Sequence, residues 1–392
     1  MQRRNFIRLA GGGIVAAAAA GTAAAWLAAR VPASAMAAWQ PSADEPDLRR
    51  WALSYALLAP NPHNQQPWLA DLRQPGEITL RLDPKRLLPA TDPFGRQILM
   101  GAGAFAELLV MAAAERGHRA DVAWFPEGEP GDSLDGRPFA RVRLQADDKA
   151  PRDPLFAQVL LRRTDRRAYD PARPPTAQQV QALAAAVPAG PVRFGLVGAQ
   201  VADGPRLAAV RQIVRDAWRL ELSTEATMME SMHVLRVGGH EIDAHRDGIA
   251  ITSPMLVALD RVGLFDRSRF PGVDSPAIQG QIRDFDAVTA STPAYLWLVT
   301  EGNRRTQQID AGRAYVRVNL AATAAGLALH PNEQSLQEYP EVAAPYRAVH
   351  ALLDAPAPRF TVQMLARVGH LPAGSAAAPP APRRGLARQL QA

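Results

Sequence analysis

Two small-residue helical segments constrain the fold of this 392-residue chain most: LVMAAAERGH (109–118) and VNLAATAAGL (318–327). Both carry an apolar position, a run of small residues and a glycine at the same offset. Small side chains let helix axes approach closely, so the pair reads as the central helices of a duplicated unit. The competing reading is that Ala-rich helices resemble one another in any Ala-rich chain.

Hydrophobic periodicity and turn signals around these segments divide the chain in two. In the first half, residues 51–150, we expect helices at 51–58 and 98–117 and strands at 78–82, 122–125 and 139–144. The charged, Pro-containing stretch ADDKAPRDP (146–154) marks a boundary. The second half, 151–392, reads as helices at 155–163, 176–186, 206–221 and 309–327, with strands at 192–197, 295–300 and 359–368. Residues 223–292 look like an insertion. Such alternation implies an α+β fold, an α/β sandwich.

The first 35 residues resemble targeting information. Arg3 and Arg4 precede Phe6, an uncharged run extends from Leu9 to Ala29, and Ala33-Ser34-Ala35 is a small-residue cleavage site. This is the pattern of a Tat signal peptide, and it implies a periplasmic or extracytoplasmic protein exported in the folded state. An uncleaved membrane anchor is the alternative. Residues 36–50 read as a polar linker. Removing residues 1–35 lowers 44 basic residues to 40 against 38 acidic, so the net charge falls from +6 to +2. The basic character is therefore largely a targeting feature, and no nucleic-acid partner is expected. With no cysteine, disulfides, thiolate nucleophiles and Cys-ligated metals are excluded.

Three motif look-alikes fail on their surroundings. GAGAFA (101–106) lacks the buried β-branched strand that a dinucleotide fingerprint requires, and helix packing explains its glycines better. HEIDAH (240–245) spaces its histidines about 140° apart round a helix, so they do not face one metal. It reads as a solvated loop, and no metal is expected. Ser231 and Ser253 have no G-x-S-x-G elbow around them.

Three other stretches hold together. APNPHNQQPW (59–68) has three prolines and four amides directly after an apolar helix, a stiff ledge rather than an ordinary turn. LRRTDRRAYD (161–170) places Arg162, Arg163, Arg166 and Arg167 around Thr164. Forked guanidiniums flanking a hydroxyl suit a phosphate monoester, although a basic helix end is also favourable without any ligand. The tail APPAPRRGLARQL (378–390) offers Arg383 and Arg384, which a disordered basic tail would equally explain.

RRTDRRAYD resembles the R-R-S-x-R-x-F opening of the nitroreductase superfamily of flavoproteins. APNPHNQQPW resembles its A-P-S-x-x-N-x-Q-P-W motif, PRRGL its closing P-R-K/R-P-L, and the HPNEQ segment (330–334) its loop near the flavin ring. In single-domain members the arginine motif comes first, and FMN lies between two identical chains. Here the order is reversed, which two fused halves forming an intrachain pseudo-dimer would explain. This resembles the two-domain, Acg-like branch.

The resemblance implies one FMN per chain, with a monomer sufficient. Arg162, Arg163, Thr164 and Arg166 would hold the phosphate and ribityl chain, closed over by Arg383 or Arg384. Asn61, Pro62, His63, Asn64 and Gln66 would line the isoalloxazine edge. Glu333 and Gln334 would lie near N5. The implied activity is a two-electron, ping-pong reduction of an electron-poor acceptor, a quinone or nitro compound, by a small-molecule donor. If the insertion, with its TMMESMH stretch (227–233), covers the flavin, the alternative is a non-catalytic FMN-binding or storage protein. A Met stripe that is simply core is the other reading of that stretch.

Overall fold

The computed structural model describes residues 24–198 and 200–391. The twin arginines and most of the uncharged run lie outside the described residues. In chain order, the regular elements begin with α1 (Leu48–Ala56), β1 (Trp68–Asp71), β2 (Glu77–Leu82), α2 (Arg96–Glu115), β3 (His118–Trp124) and β4 (Pro138–Ala146). After a Pro-rich connection come α3 (Ala177–Ala185), β5 (Arg193–Val197) and α4 (Gly204–Ser223). The expected insertion contains α5 (Glu225–His233), β6 (Leu235–Val237), α6 (Gly238–His245), β7 (Ile249–Ile251), α7 (Pro254–Arg261) and α8 (Pro276–Ala290). Then follow β8 (Ala294–Glu301), α9 (Arg305–Ala324), β9 (Ala328–Pro331), α10 (Ala343–Leu352) and β10 (Phe360–Gly369).

The α+β expectation holds, and the two halves share one topology. The first antiparallel sheet has the order β1-β2-β4-β3 and the second β5-β8-β10-β9. In each, a 20-residue helix joins the second strand to the third in sequence. The repeat foreseen from two Ala-rich segments thus extends to whole sheets.

Helices α2 and α9 cross in the middle of the molecule. A Cβ added to Gly103 would lie 2.2 Å from the Ile309 carbonyl oxygen, and one on Gly312 would lie 1.9 Å from that of Met100. Glycine is required at both positions because backbone meets backbone. The cores interpenetrate as a result: Ile309, Val316 and Leu320 of α9 join the first-half core, while Met100 of α2 joins the second. α2 is long and apolar enough to cross a membrane, yet it is enclosed by protein, which accounts for its apolarity on every side. Its buried Glu107 accepts from Arg313 at 2.8 Å and Arg317 at 2.9 Å across the crossing, so the charge taken out of water is paired.

Several local expectations are corrected. Residues 155–163 form only a short 3-10 helix, Pro154–Gln158. Beyond it, the Arg163 guanidinium turns back to the carbonyls of Leu160 and Arg162, satisfying acceptors that no helical bond takes. The linker at 36–50 contains part of a 3-10 helix, Ala33–Trp39, with Ala35 and Trp39 buried. HEIDAH lies on α6 rather than in a solvated loop; Glu241 accepts from the Val237 N–H at its start and pairs with Arg267 at 2.8 Å. The helix expected to reach 327 ends at Ala324, because Gly326 turns the chain at φ 69° into edge strand β9. Strand β1 and helix α10 were not foreseen.

The crossing yields a paired prediction. Gly312→Ala should destabilise the protein by about 1–3 kcal/mol through backbone overpacking. Gly280→Ala, on α8 where an added Cβ meets only the end of the Arg283 side chain at 3.8 Å, should be neutral or stabilising by about 0.5–1 kcal/mol. Urea unfolding of both variants checks the contrast.

Candidate cofactor site

The proline-rich ledge is strained, and the strain is held from outside. His63, Asn64 and Gln66 have φ of 45°, 53° and 49°, a conformation that costs non-glycine residues of order 1–3 kcal/mol each. Asn61 Oδ1 accepts from the Gln66 N–H at 2.8 Å, closing the loop on itself. The C-terminal tail supplies the clamp. Arg383 Nη1 donates to Asn64 Oδ1 at 2.7 Å, and Asn64 Nδ2 donates to the Pro382 carbonyl at 3.0 Å. The Arg384 N–H donates to Gln66 Oε1 at 2.8 Å, and its guanidinium to the Gln66 carbonyl at 3.1 Å.

Asn64 and Gln66, expected at the edge of a flavin ring, therefore direct their amides into the loop and tail, with Gln66 Nε2 also donating to the Arg246 carbonyl at 2.9 Å. Arg384 is a loop clamp in the same way. The ledge keeps other polar atoms free: His63 Nδ1 and Gln65 Nε2 are buried without a hydrogen-bond partner. Burial, with Arg166 nearby, lowers the His63 pKa to about 4, so its imidazole is neutral at neutral pH.

The arginine motif comes to this ledge from the other half. Arg162 is buried and donates to the Leu58 carbonyl at 2.9 Å, at the end of the segment that leads into the ledge. Its Nε is buried without a partner. Arg383 donates to the carbonyls of Leu57 at 3.0 Å and Ala59 at 3.1 Å. These carbonyls, just beyond the C-terminus of α1, partly offset the positive charge. Burial lowers Arg162 to about 10 and Arg383 to about 9, so both remain cationic at neutral pH. The charged groups nearest Arg383 are Arg162 and Arg163, which repel it.

Arg163 is half-buried and donates to the Ala378 carbonyl of the tail at 3.2 Å. Thr164 is half-buried beside it. Arg166 is exposed overall, and desolvation lowers the pKa of its guanidinium. It lies near His63 and His330, each of which it helps to hold neutral, and near Tyr315 and Tyr169. The expected phosphate motif, the ledge and the 330–334 loop thus come together from distant parts of the chain.

That last loop is rich in unpartnered atoms. Buried His330 Nδ1, Asn332 Oδ1, Gln334 Oε1 and Ser335 Oγ lack hydrogen-bond partners among the described residues, while Glu333 Oε2 faces the Arg96 guanidinium at 3.6 Å. Glu333 Oε1 accepts from the Leu365 N–H at 2.9 Å, and burial raises the Glu333 pKa to about 7. Pro62 and Asn61 border α2, where the Asn61 side chain packs on Gly101.

Sequence reasoning missed several contributors. Arg96 at the start of α2 is buried, donates to the Leu336 carbonyl at 2.7 Å and lies 3.6 Å from Glu333, so the first half fixes the second half's loop. Buried Glu221 at the end of α4 accepts from Gln337 Nε2 at 2.8 Å, and burial raises its pKa to about 7. Trp39 lies within the arginine cluster. A buried arginine or glutamate inside a helix has no sequence signature apart from an interruption in an apolar face. Trp39 was signalled only as an isolated aromatic in a polar stretch.

The insertion grips the outside of the ledge. Glu230 of α5 accepts from the backbone N–H groups of Ala90 at 2.7 Å and Thr91 at 3.0 Å. Asp247 pairs with Arg86 at 2.7 Å and Arg236 at 2.9 Å, and the Gly248 N–H donates to the Asn64 carbonyl at 3.2 Å.

Comparison with known proteins decides the family. The chain is 30% identical over 353 residues to a Mycobacterium tuberculosis protein named "Putative NAD(P)H nitroreductase acg", covering 87% of this chain and 94% of that one. The chain belongs to the nitroreductase family, in its two-domain, Acg-like form. A second Mycobacterium tuberculosis protein, named "Putative NAD(P)H nitroreductase MT3217", is 29% identical over 345 residues, covering 87% of this chain and 90% of that one. No family model matches the chain. Among solved structures, the FMN and NADPH-dependent nitroreductase NfnB from Sphigopyxis sp. strain HMH is 19% identical, with a TM-score of 0.37, covering 60% of this chain and 97% of that one. A Bacteroides fragilis nitroreductase solved with bound FMN is 16% identical, with a TM-score of 0.33 and coverage of 58% and 93%. In this nitroreductase-family chain, the two halves of the pseudo-dimer are the two sheets described above.

The buried carboxyl groups predict a pH dependence. Burial raises Glu221 from 4.5 to about 7, so the folded state binds a proton more tightly than the unfolded chain. Its contribution to stability is complete below about pH 4.5 and is lost as pH rises through about 7. Glu221→Gln should flatten the fall in stability between pH 5 and pH 8 relative to the unsubstituted protein, measured as unfolding midpoints across that range.

Proposed function

We propose that this chain is an FMN-dependent oxidoreductase that carries out two-electron, ping-pong reduction of an electron-poor acceptor such as a quinone or nitro compound. The observation that carries this reading is the group of desolvated arginines, Arg162, Arg163, Arg166 and Arg383, gathered where the ledge, the motif and the tail meet. Desolvated cations without carboxylate partners are costly; backbone carbonyls already take many of their N–H donors, and a phosphate monoester supplies the negative charge that those carbonyls do not. The residues fit the group in a second respect. Unpartnered polar atoms on the ledge and on the 330–335 loop offer donors and acceptors to a heteroaromatic ring.

In this reading Arg162, Arg163, Thr164 and Arg166 hold the phosphate and ribityl chain, and Arg383 closes over the phosphate. Asn61, Pro62 and His63 border the ring from the first half, and Glu333 and Gln334 border it from the second. Bound flavin supplies hydride transfer at N5 and accepts electron pairs from the donor. The chain's own residues bind and orient it. Neutral His63 adds no further charge beside Arg166. The names of the relatives point to a nicotinamide donor. The leader pattern points instead to export through the Tat machinery and to a donor available outside the cytoplasm. One chain contains both halves of the site, so a monomer suffices, with domain limits near residues 51–150 and 151–392.

The grip of the insertion on the ledge favours one second reading, a non-catalytic FMN-binding or flavin-storage protein whose flavin is covered. Purified protein separates the two. The enzyme reading expects a yellow flavin spectrum that NAD(P)H or another donor bleaches and that an added quinone or nitroaromatic restores. Bleaching by dithionite alone, without acceptor turnover, supports the covered binder, and failure to bind FMN on reconstitution overturns both. Arg162→Ala and Arg166→Ala should each weaken FMN binding by about 1–3 kcal/mol, read by flavin fluorescence titration. Unchanged affinity in both would remove the phosphate assignment.

A further inference from the structure

Trp39 belongs to a segment that reads as linker, yet it is only 8% exposed. Three guanidiniums surround its indole: Arg163 at 4.8 Å, Arg383 at 5.5 Å and Arg162 at 5.9 Å from guanidinium carbon to ring centroid. All lie within the range where a cation is attracted to the ring quadrupole. Two of them come from the arginine motif and one from the tail, nearly the whole chain length away. The indole N–H is directed as well, donating to the Ala381 carbonyl at 2.8 Å. Four residues earlier in the chain, the Ala35 carbonyl accepts from the Arg383 N–H at 3.4 Å. The N-terminal segment is therefore laced to the tail on both sides of the cluster.

The three cations repel one another. Arg162 and Arg163 both depress the pKa of Arg383, and Arg163 depresses that of Arg162. Something must hold them together without neutralising them, because a carboxylate in that position would compete with an incoming phosphate. An aromatic face does this: it attracts each guanidinium, carries no net charge and offers no strong acceptor to compete for N–H donors.

Resting on the cofactor reading above, we propose that Trp39 is the positioning residue that makes the site select a phosphorylated over an unphosphorylated flavin. Its ring holds Arg162, Arg163 and Arg383 as one convergent cation cluster, and the N-terminal segment becomes a wall of the phosphate subsite. A cut after Ala35 would keep Trp39 and its bond to the Ala381 carbonyl in the chain and remove the Ala35 link to Arg383.

FMN and riboflavin differ by the phosphate alone, and their comparison isolates this role. Dissociation constants for both would be measured on the full chain and on its Trp39→Leu and Trp39→Phe variants. Trp39→Leu should raise the FMN dissociation constant about tenfold or more, leave that of riboflavin within about twofold, and so erase most of the preference. Trp39→Phe, which keeps a weaker aromatic face, should fall between. Equal weakening of both ligands in the variants would show a merely structural residue and overturn the proposal, as would unchanged FMN binding in Trp39→Leu. If Trp39→Leu does not fold, the FMN-to-riboflavin ratio of Trp39→Phe decides, an unchanged ratio overturning the proposal. An unsubstituted chain that binds both flavins without preference also overturns it, leaving the cofactor reading intact. A chain that binds neither overturns the cofactor reading itself.

Discussion

The backbone contacts of Gly103 with Ile309 and of Gly312 with Met100 set the distance between the two halves, and the site depends on that distance. A helix crossing in which each glycine faces the other helix's carbonyl has no side-chain cushion to compress. Because the cores exchange Ile309, Val316 and Leu320 for Met100 across the crossing, neither half can slide without opening cavities on both sides. Every functional contact described above joins parts that this crossing brings into register: the ledge after α1, the motif after Gln158 and the loop after β9. The buried Glu107, paired with Arg313 and Arg317, resists rotation of the helices about that contact.

The crossing was legible in sequence because close packing leaves a compositional trace, small residues at matching offsets. The ledge and the arginine motif were legible for a similar reason: proline density and guanidinium density are unusual enough to require an explanation. What sequence concealed was how polar groups would be allotted. Asn64 and Gln66 look like ligand contacts, yet the tail and Arg246 occupy their amides. Which amide faces inward follows from three left-handed residues in one loop, and local propensity does not announce that conformation for His, Asn and Gln. Arg96, Glu221 and Trp39 were missed because each acts through tertiary contacts with residues far along the chain. At 155–163 periodicity foresees a helix where the chain forms only the 3-10 turn Pro154–Gln158, and the Arg163 guanidinium takes the carbonyls of Leu160 and Arg162 beyond it.

The division of labour among the arginines follows from the same allotment. Arg384 serves the loop, Arg383 serves both loop and cluster, and Arg162 keeps its Nε donor uncommitted among the described residues. The loop, strained at three positions, is held by the tail together with the insertion, and the tail is held both by strand β1 and beside the positive field of the motif. Helix-end carbonyls and one indole reduce that field without cancelling it, leaving a charge deficit that an anion can fill. Anion binding would then relieve repulsion, tighten the tail and stabilise the strained ledge together. Cofactor capture and completion of the pseudo-dimer's site would on this account be one coupled event, driven by the mutual repulsion of the clustered cations.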